Sequence, residues 1–354
     1  MLAFTYQTLP QRVLFGPDRI ACLREEVERL GARRALVLST PGKRALAEDA
    51  ARRLGPLCAG ILARAVMHVP IEVAREGREE ARRLAADCYV AIGGGTTIGL
   101  AKGIALETGM PIVAIPTTYS GSEATPVQGL TEGGVKRTVR DPKLLPRTVI
   151  YDPGLTLALP PAVSGTSGIN AIAHCVEALY AADANPITSL MAEEGIRALG
   201  ASLPVVVERP DDLAARARAL YGAWLAGTAL GTVGMGLHHK LCHTLGGSFN
   251  LPHAETHTLI LPQAAAYNRA AAPAAMARIA RALGASDAPA ALFDLAQRLG
   301  AEMRLAAFGL SEADLERAAD LAVESPYPNP APVTRAGVRA LLQDAFEGRR
   351  PEEI

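Results

Sequence analysis

The sequence predicts two domains of different class. An α/β domain, a parallel sheet flanked by helices, spans residues 1–156, and an all-helical domain spans 157–354. Three observations carry this reading. From residue 12 to about 151, short β-branched runs alternate with amphipathic helical stretches, the pattern of a parallel sheet covered by helices. At 152–161 (DPGLTLALPP) prolines and a glycine break that pattern. Beyond it only apolar faces of helical period recur, and 354 residues with 49% hydrophobic content supply two cores more readily than one.

Taken in order, Asp18 reads as an N-cap, with Ile20, Leu23, Val27 and Leu30 at helical spacing and Gly31 closing the helix. Strands are expected at 35–39 (ALVLS), 89–92 (YVAI) and 111–115 (PIVAI), with helices near 43–54, 72–86 and 97–107. The second domain reads as helices at about 168–182, 186–201, 211–247, 272–284, 288–300, 311–323 and 333–346. A loop, PYPNPAP, occupies 326–332. A ligand cleft between the two domains is the expected place for a site.

Composition narrows the function. Lys+Arg and Asp+Glu number 36 each, for a formal net charge of +0, so no global field recommends nucleic acid or an anionic membrane. The five cysteines are scattered without a CxxC pair and read as reduced thiols. Without a secretory signal or an apolar run of the roughly 18 residues a span requires, a cytoplasmic protein with a small-molecule partner is expected. Six of the seven histidines crowd between 174 and 257, and that asymmetry demands a chemical explanation.

The run 89–102 (YVAIGGGTTIGLAK) is an apolar strand, three glycines, two threonines and a helix. Backbone without Cβ atoms approaches a pyrophosphate closely, and amides at the following helix N-terminus are oriented donors. Gly93, Gly94, Gly95, Thr96 and Thr97 are therefore candidates for a dinucleotide's phosphates. A second strand end, IPTTYSGSE at 115–123, adds Thr117, Thr118 and Ser120. Lys102 either pairs with phosphate or points outward. At 38–41 (LSTP), where an acid would grip an adenosine ribose, Ser39 and its neighbours carry no carboxylate, so NADH and NADPH are both expected to bind.

Asn170 and His174 share one helix face at i, i+4, as do His239 and His243, and His253 is expected after a Gly-Gly loop, its approach fixed by Pro252. Convergent imidazoles suit Zn or Fe. Taken with GGGTTIGLAK, PTTYSGSE and the final PH, this order resembles the iron-containing alcohol dehydrogenase family over nearly the whole chain. The resemblance implies a dehydroquinate synthase-like architecture, hydride transfer, a homodimer, and a divalent metal held by one Asp and three His. Those metal positions fall on Asn170, His174, His239 and His253, and His243 matches a histidine beside the nicotinamide.

Two departures modify what the resemblance implies. Asn170 replaces the family's Asp, which removes a full negative charge from the cation's shell, so no tightly held Fe or Zn is expected. Gly99 replaces the Asp of GGGSxxDxAK. With SGSEATPVQGLTEGG (120–134), DPKLLPRTVIYDP (141–153) and HHKLCHTLGGSFNLPHAETHT (238–258), they resemble the branch of that family that reduces maleylacetate to 3-oxoadipate in microbial breakdown of aromatic and chloroaromatic compounds.

For such a dicarboxylate substrate, His243 or His253 is expected to donate the proton, while His239 and His174 hold an oxygen or carboxylate. His238, Lys240 and Asn170 are further substrate contacts, Lys240 being equally readable as a solvated helix residue, and Arg or Lys between 136 and 143 are additional cations. Glu177 and Glu255 either orient imidazoles or are exposed. His68 and His257 are read as structural, and Cys175 and Cys242 as packing residues. Two other reactions fit the fold, a metal-dependent alcohol or aldehyde reduction and a sugar-phosphate cyclisation. A non-catalytic dinucleotide sensor would not use clustered histidines.

Overall fold

A computed structural model describes residues 4–353 apart from 133 and 134, and the side chains of 131–137 lie outside the description. The chain divides into two compact units: Thr8–Leu159, and Pro160–Ile354 together with the residues before Thr8.

In the first unit the elements run β1 (Arg12–Phe15), α1 (Leu23–Arg29), β2 (Ala35–Leu38), α2 (Arg44–Leu54), β3 (Cys58–Leu62), α3 (Ile71–Arg83), β4 (Cys88–Gly93), α4 (Gly95–Thr108) and β5 (Ile112–Pro116). A hairpin, β6 (Val127–Glu132) with β7 (Val135–Arg140), precedes β8 (Thr148–Tyr151). Six strands form one parallel sheet in the order β1-β8-β5-β4-β2-β3. Every residue of β2, β4, β5 and β8 is buried, which explains why these strands are continuous apolar runs rather than alternating ones. One face packs Leu23, Val27, Ala50 and Leu54 against Val37, Val90 and Ile92.

The chain steps outward from β2 to β3, crosses back to β4 and continues to β5 and β8. The winding therefore reverses between β2 and β4, and an open α/β sheet binds ligands outside the carboxyl ends of the strands at such a reversal. Those ends are Leu38 and Gly93.

Two expectations are corrected here. Asp18 is not a cap: it sits in the left-handed region at φ 58 without a side-chain bond to the helix start, and a 3-10 turn over Arg19–Cys22 precedes α1. Strands β1, β3 and β8 and the β6–β7 hairpin add to the three strands expected. The β3 sequence CAGIL is only half-buried throughout and carries a single β-branched residue, so its local preference is weak.

The second unit is helical: α5 (Pro161–Tyr180), α6 (Pro186–Glu208), α7 (Leu213–Gly231), α8 (Leu237–Phe249), α9 (His253–Asn268), α10 (Pro273–Leu283), α11 (Ala288–Arg298), α12 (Glu312–Val323) and α13 (Arg335–Glu347). The single helix expected over 211–247 is two, interrupted by a segment containing Gly234 and Gly236. Gly246 and Gly247 lie inside α8, so no Gly-Gly loop precedes His253. Asn250, left-handed at φ 55, ends α8, and Pro252 leads into α9.

Helix α8 buries Leu237, Leu241 and Leu245, spaced i, i+4, i+8, in a core shared with Leu259 and Ile260 of α9, Leu315 of α12 and Leu342 of α13. Each such leucine is worth about 1.5–3 kcal/mol. That stripe fixes α8 rotationally, so His238, His239 and His243 are held at defined positions beside it. Among the described residues no helix is long and apolar enough to cross a membrane.

Candidate active site

At the carboxyl end of β4, Gly93 adopts φ +154, Gly94 caps the next helix, and α4 begins at Gly95. The amides of Thr97 and Ile98 bond to Gly94 O, and the Thr117 amide bonds to Gly93 O at 3.0 Å. A Cβ on Gly93 would collide with the Thr97 hydroxyl, one on Gly94 would lie 2.8 Å from Thr118 Cγ2, and one on Gly95 3.2 Å from Ser120 Oγ. The three glycines thus form a cradle that a side chain would fill, and they bring Thr118 and Ser120 against it. Thr96 is half-exposed, whereas Thr97 is buried against Gly93. Ser39 is buried at the end of β2, its hydroxyl donating to Thr40 O at 3.1 Å and its backbone tied to Leu62 and Ala65.

Lys102 meets neither expectation. It is fully buried, and its ammonium donates to Ser122 O, Thr125 O, Thr125 Oγ1 and Val127 O at 2.6–3.0 Å. Its three protons are consumed within the protein, so Lys102 secures the segment after β5 instead of reaching phosphate. Burial pulls this ammonium down to about 7, against the opposing charge of Glu123. Gly99 is also explained: a Cβ there would stand 2.9 Å from Val69 Cγ2 and 3.5 Å from the Gln128 amide, leaving no room for an aspartate. Lys136 and Arg137 have side chains outside the described residues, and Lys143 is engaged by Asp141 at 3.4 Å.

The histidines gather in the helical unit, on α5, α8 and α9. Ring centroids lie 5.2 Å apart for His174 and His239, 6.1 Å for His239 and His243, 5.0 Å for His239 and His257, and 4.4 Å for His253 and His257. The organising group is Glu177, three residues after His174 on α5. Fully buried, its carboxylate accepts the amides of Gly236 at 2.9 Å and His238 at 2.8 Å and meets His239 Nδ1 at 2.6 Å. It therefore caps α8 and orients His239 together. Burial alone would raise the Glu177 carboxyl, but His239, His238 and the Gly236 amide outweigh that and hold it below its ordinary value. An ionised Glu177 accepts the Nδ1 proton of His239 as a hydrogen bond and so orients the ring, with Nε2 on the side away from the carboxylate.

Two residue assignments change. His238, expected at the substrate, is wholly internal: its Nε2 lies 2.9 Å from His257 Nδ1 and 3.7 Å from Cys242 Sγ. His257, read from sequence as structural, stands in the middle of the cluster. Burial first, and then neighbouring imidazoles, hold His174 and His257 neutral, and burial brings His238 down to about 3. These three imidazoles therefore bring no positive charge to a dicarboxylate. Lys240, His243 and His253 are partly exposed, while Asn170, His174 and His239 are buried. Asn170 Oδ1, His174 Nδ1, His238 Nδ1, His239 Nε2 and His257 Nε2 are buried without a hydrogen-bond partner. Such atoms cost free energy unless a ligand completes them, and five around one histidine cluster mark a candidate binding site.

Family models fit both units: the iron-containing alcohol dehydrogenase model matches residues 10–153 and the C-terminal model of the same family matches 164–346. The chain belongs to the iron-containing alcohol dehydrogenase family. It is 60% identical over 351 residues to a maleylacetate reductase from Burkholderia cepacia, covering 99% of this chain and 100% of that protein. A maleylacetate reductase from Sphingobium indicum is 53% identical over 350 residues, 99% of each chain. The crystal structure of a maleylacetate reductase from Agrobacterium tumefaciens superposes with a TM-score of 0.95 at 54% identity, over 99% of this chain and 100% of that one.

The metal that the iron-containing alcohol dehydrogenase family implies would meet a weaker donor set here than one Asp and three His. An amide oxygen and three imidazoles offer a dication no anionic ligand, and Glu177 is spent on α8 and His239. Among the described residues, the group of His, Cys, Asp or Glu donors that converges within 4.8 Å is His238, Cys242 and His257, not the trio of His174, His239 and His253.

Proposed function

We propose that this enzyme reduces the carbon–carbon double bond of maleylacetate to give 3-oxoadipate, with NADH or NADPH as reductant and without a tightly held metal. The observation that carries the reading is the full-length identity of 60% to the Burkholderia cepacia maleylacetate reductase, and the site chemistry agrees with it. The reduced nicotinamide, when bound, supplies a hydride to the alkene carbon remote from the ketone. The displaced electron pair moves to the ketone oxygen as an enolate, and the carbon beside the ketone then takes a proton.

The chain's residues divide this work. The glycine cradle at 93–95 with Thr96, Thr118 and Ser120 binds the pyrophosphate. His243 and His253, both partly exposed, exchange protons with solvent and supply the one that reaches carbon. His239, with Glu177 behind it, is the ring whose positive charge has a counter-ion at 2.6 Å, and it holds a substrate carboxylate. Asn170 and His174 complete the pocket around the dicarboxylate. The absence of an acid at 38–41 supports use of both nucleotides. A cytoplasmic homodimer accords with the family, and light scattering in solution tests the dimer.

The deciding experiment is NADH and NADPH oxidation with maleylacetate beside small aldehydes, with and without EDTA. Turnover of the diacid with both nucleotides, indifferent to EDTA, is expected. No turnover of the diacid refutes the reading, and activity lost to EDTA and restored by Fe or Zn refutes its metal-free part.

A further inference from the structure

We propose that His257 is a catalytic residue that presents Nε2–H to the developing enolate oxygen, and that His238 is the positioning residue that fixes this tautomer. The proposal rests on the reduction argued above. His257 lies one turn after His253 on α9, is fully buried, and belongs to none of the family's metal positions. Its Nδ1 is committed to His238 Nε2 at 2.9 Å, and its Nε2, on the other side of the ring, has no partner.

Two neutral tautomeric arrangements are open to this pair. If His257 donates from Nδ1, then His238 must carry its proton on Nδ1, an atom buried with no partner inside the protein. That arrangement leaves the orphaned N–H on His238, a ring already engaged by His257 and Cys242 through its other nitrogen. If His238 donates from Nε2, its Nδ1 is merely an unfilled acceptor, and the free N–H falls on His257 Nε2 among the rings of His253 and His239. The second arrangement places the orphaned donor on the ring whose centroid lies 4.4 Å from that of the partly exposed His253, which we take as the side that faces substrate.

A neutral, buried N–H suits an oxygen that becomes anionic only during reaction, whereas a permanent carboxylate calls for a cation. His257 transfers no proton. It holds the oxygen while carbon is protonated from another imidazole.

Glutamine and asparagine separate the two ring nitrogens, because the glutamine amide nitrogen reaches the place of Nε2 and that of asparagine the place of Nδ1. His257→Gln should retain kcat within about tenfold, while His257→Asn should lose about 10²–10³ in kcat, as removal of one oxyanion donor does. KM for the diacid and NADH affinity by fluorescence should change little in either. His238→Phe should lower kcat in the parent and add nothing in the His257→Asn background. The proposal is overturned if His257→Asn keeps kcat within threefold of the parent, if glutamine is as damaging as asparagine while both melt like the parent, or if the His238 and His257 effects multiply. A parent that leaves maleylacetate unreduced overturns the functional reading, and this proposal with it.

Discussion

Replacing Glu177 by Gln tests the centre of the site with almost no change in volume. The carboxylate receives three hydrogen bonds, from Gly236 N, His238 N and His239 Nδ1. A carboxamide has one oxygen, so its NH2 must face at least one of those donors. Its best orientation surrenders the His238 amide and keeps the other two as bonds to a neutral oxygen. Hydrogen bonds to charged groups are worth about 1.5–3 kcal/mol each, so a loss of about 2–3 kcal/mol is expected. For a unit of this size that lowers the melting temperature by roughly 4–12 °C. The catalytic effect should be larger, because a His239 imidazolium loses its counter-ion. Removing the buried carboxylate behind a catalytic histidine costs up to about 10⁴ in kcat elsewhere, and a fall of about 10²–10⁴ is expected here. Steady-state NADH oxidation, a thermal melt and an NADH fluorescence titration report the three quantities, and nucleotide affinity should hold because the glycine cradle belongs to the other unit. Retention of kcat within threefold would refute the role given to Glu177, and parallel loss of NADH binding would show general unfolding instead.

Asn170→Asp restores the missing anion and should raise divalent-metal affinity by at least the ~10–100-fold that outer-shell partners of metal sites are worth, read as retained Fe or Zn after dialysis. Thr40→Asp, at the half-buried position after Ser39, should reduce kcat/KM for NADPH by about 10²-fold through repulsion of the 2′-phosphate and leave NADH within a few-fold. Gly99→Ala gains about 1 kcal/mol of helix propensity, but its methyl meets the stiff Val69 side chain at 2.9 Å, and overpacking of about 1–3 kcal/mol should make the variant less stable by denaturant titration. Lys102 has a folded-state pKa depressed to about 7 from 10.5. The cost of burying its charge is therefore fully present below pH 7 and relieved as pH rises from about 7 to 10.5, so unfolding free energy should climb across that window. Lys102→Met should abolish that climb and, by stranding the oxygens of Ser122, Thr125 and Val127, lower stability at pH 7 by about 1–3 kcal/mol.

The elements legible in sequence were those whose signal is local. The glycine cradle, strands β2, β4 and β5, and the 3.6-period helices follow from runs that need no distant partner to be recognised. The β6–β7 hairpin was legible in principle, since Gly133–Gly134 separates two alternating runs, whereas β3 depends on pairing with β2 for its existence. The site divides in the same way. Asn170, His174, His239, His243 and His253 stand out through spacing and family resemblance. His257 does not, and Glu177 is legible only as one of two alternatives, orienting an imidazole or exposed, because a carboxylate three residues from a histidine gains its meaning only when α8 packs against it. Lys102 shows the reverse error: a lysine after a phosphate-binding turn suggests phosphate, but the carbonyl oxygens that capture it come from 20 to 25 residues away.

A magnitude connects the crowding of imidazoles to the reaction. Two cationic rings 5 Å apart repel by about 3 kcal/mol at an effective dielectric of 20, and the spacings here run from 4.4 to 6.1 Å. The cluster thus cannot charge several rings together, and burial holds His174, His238 and His257 neutral. Glu177 decides where a positive charge is best placed, on His239, and leaves the buried remainder as neutral donors and acceptors. Reduction of an unconjugated carbonyl concentrates a full charge on one alkoxide oxygen, for which the wider family supplies a Lewis acid. Hydride addition to a conjugated alkene spreads that charge over oxygen and carbon, so a preorganised neutral N–H worth about 10²–10³ in rate meets a smaller demand. Under the proposed reaction, Asn170 in place of aspartate and the neutrality of the surrounding rings both suit that smaller demand.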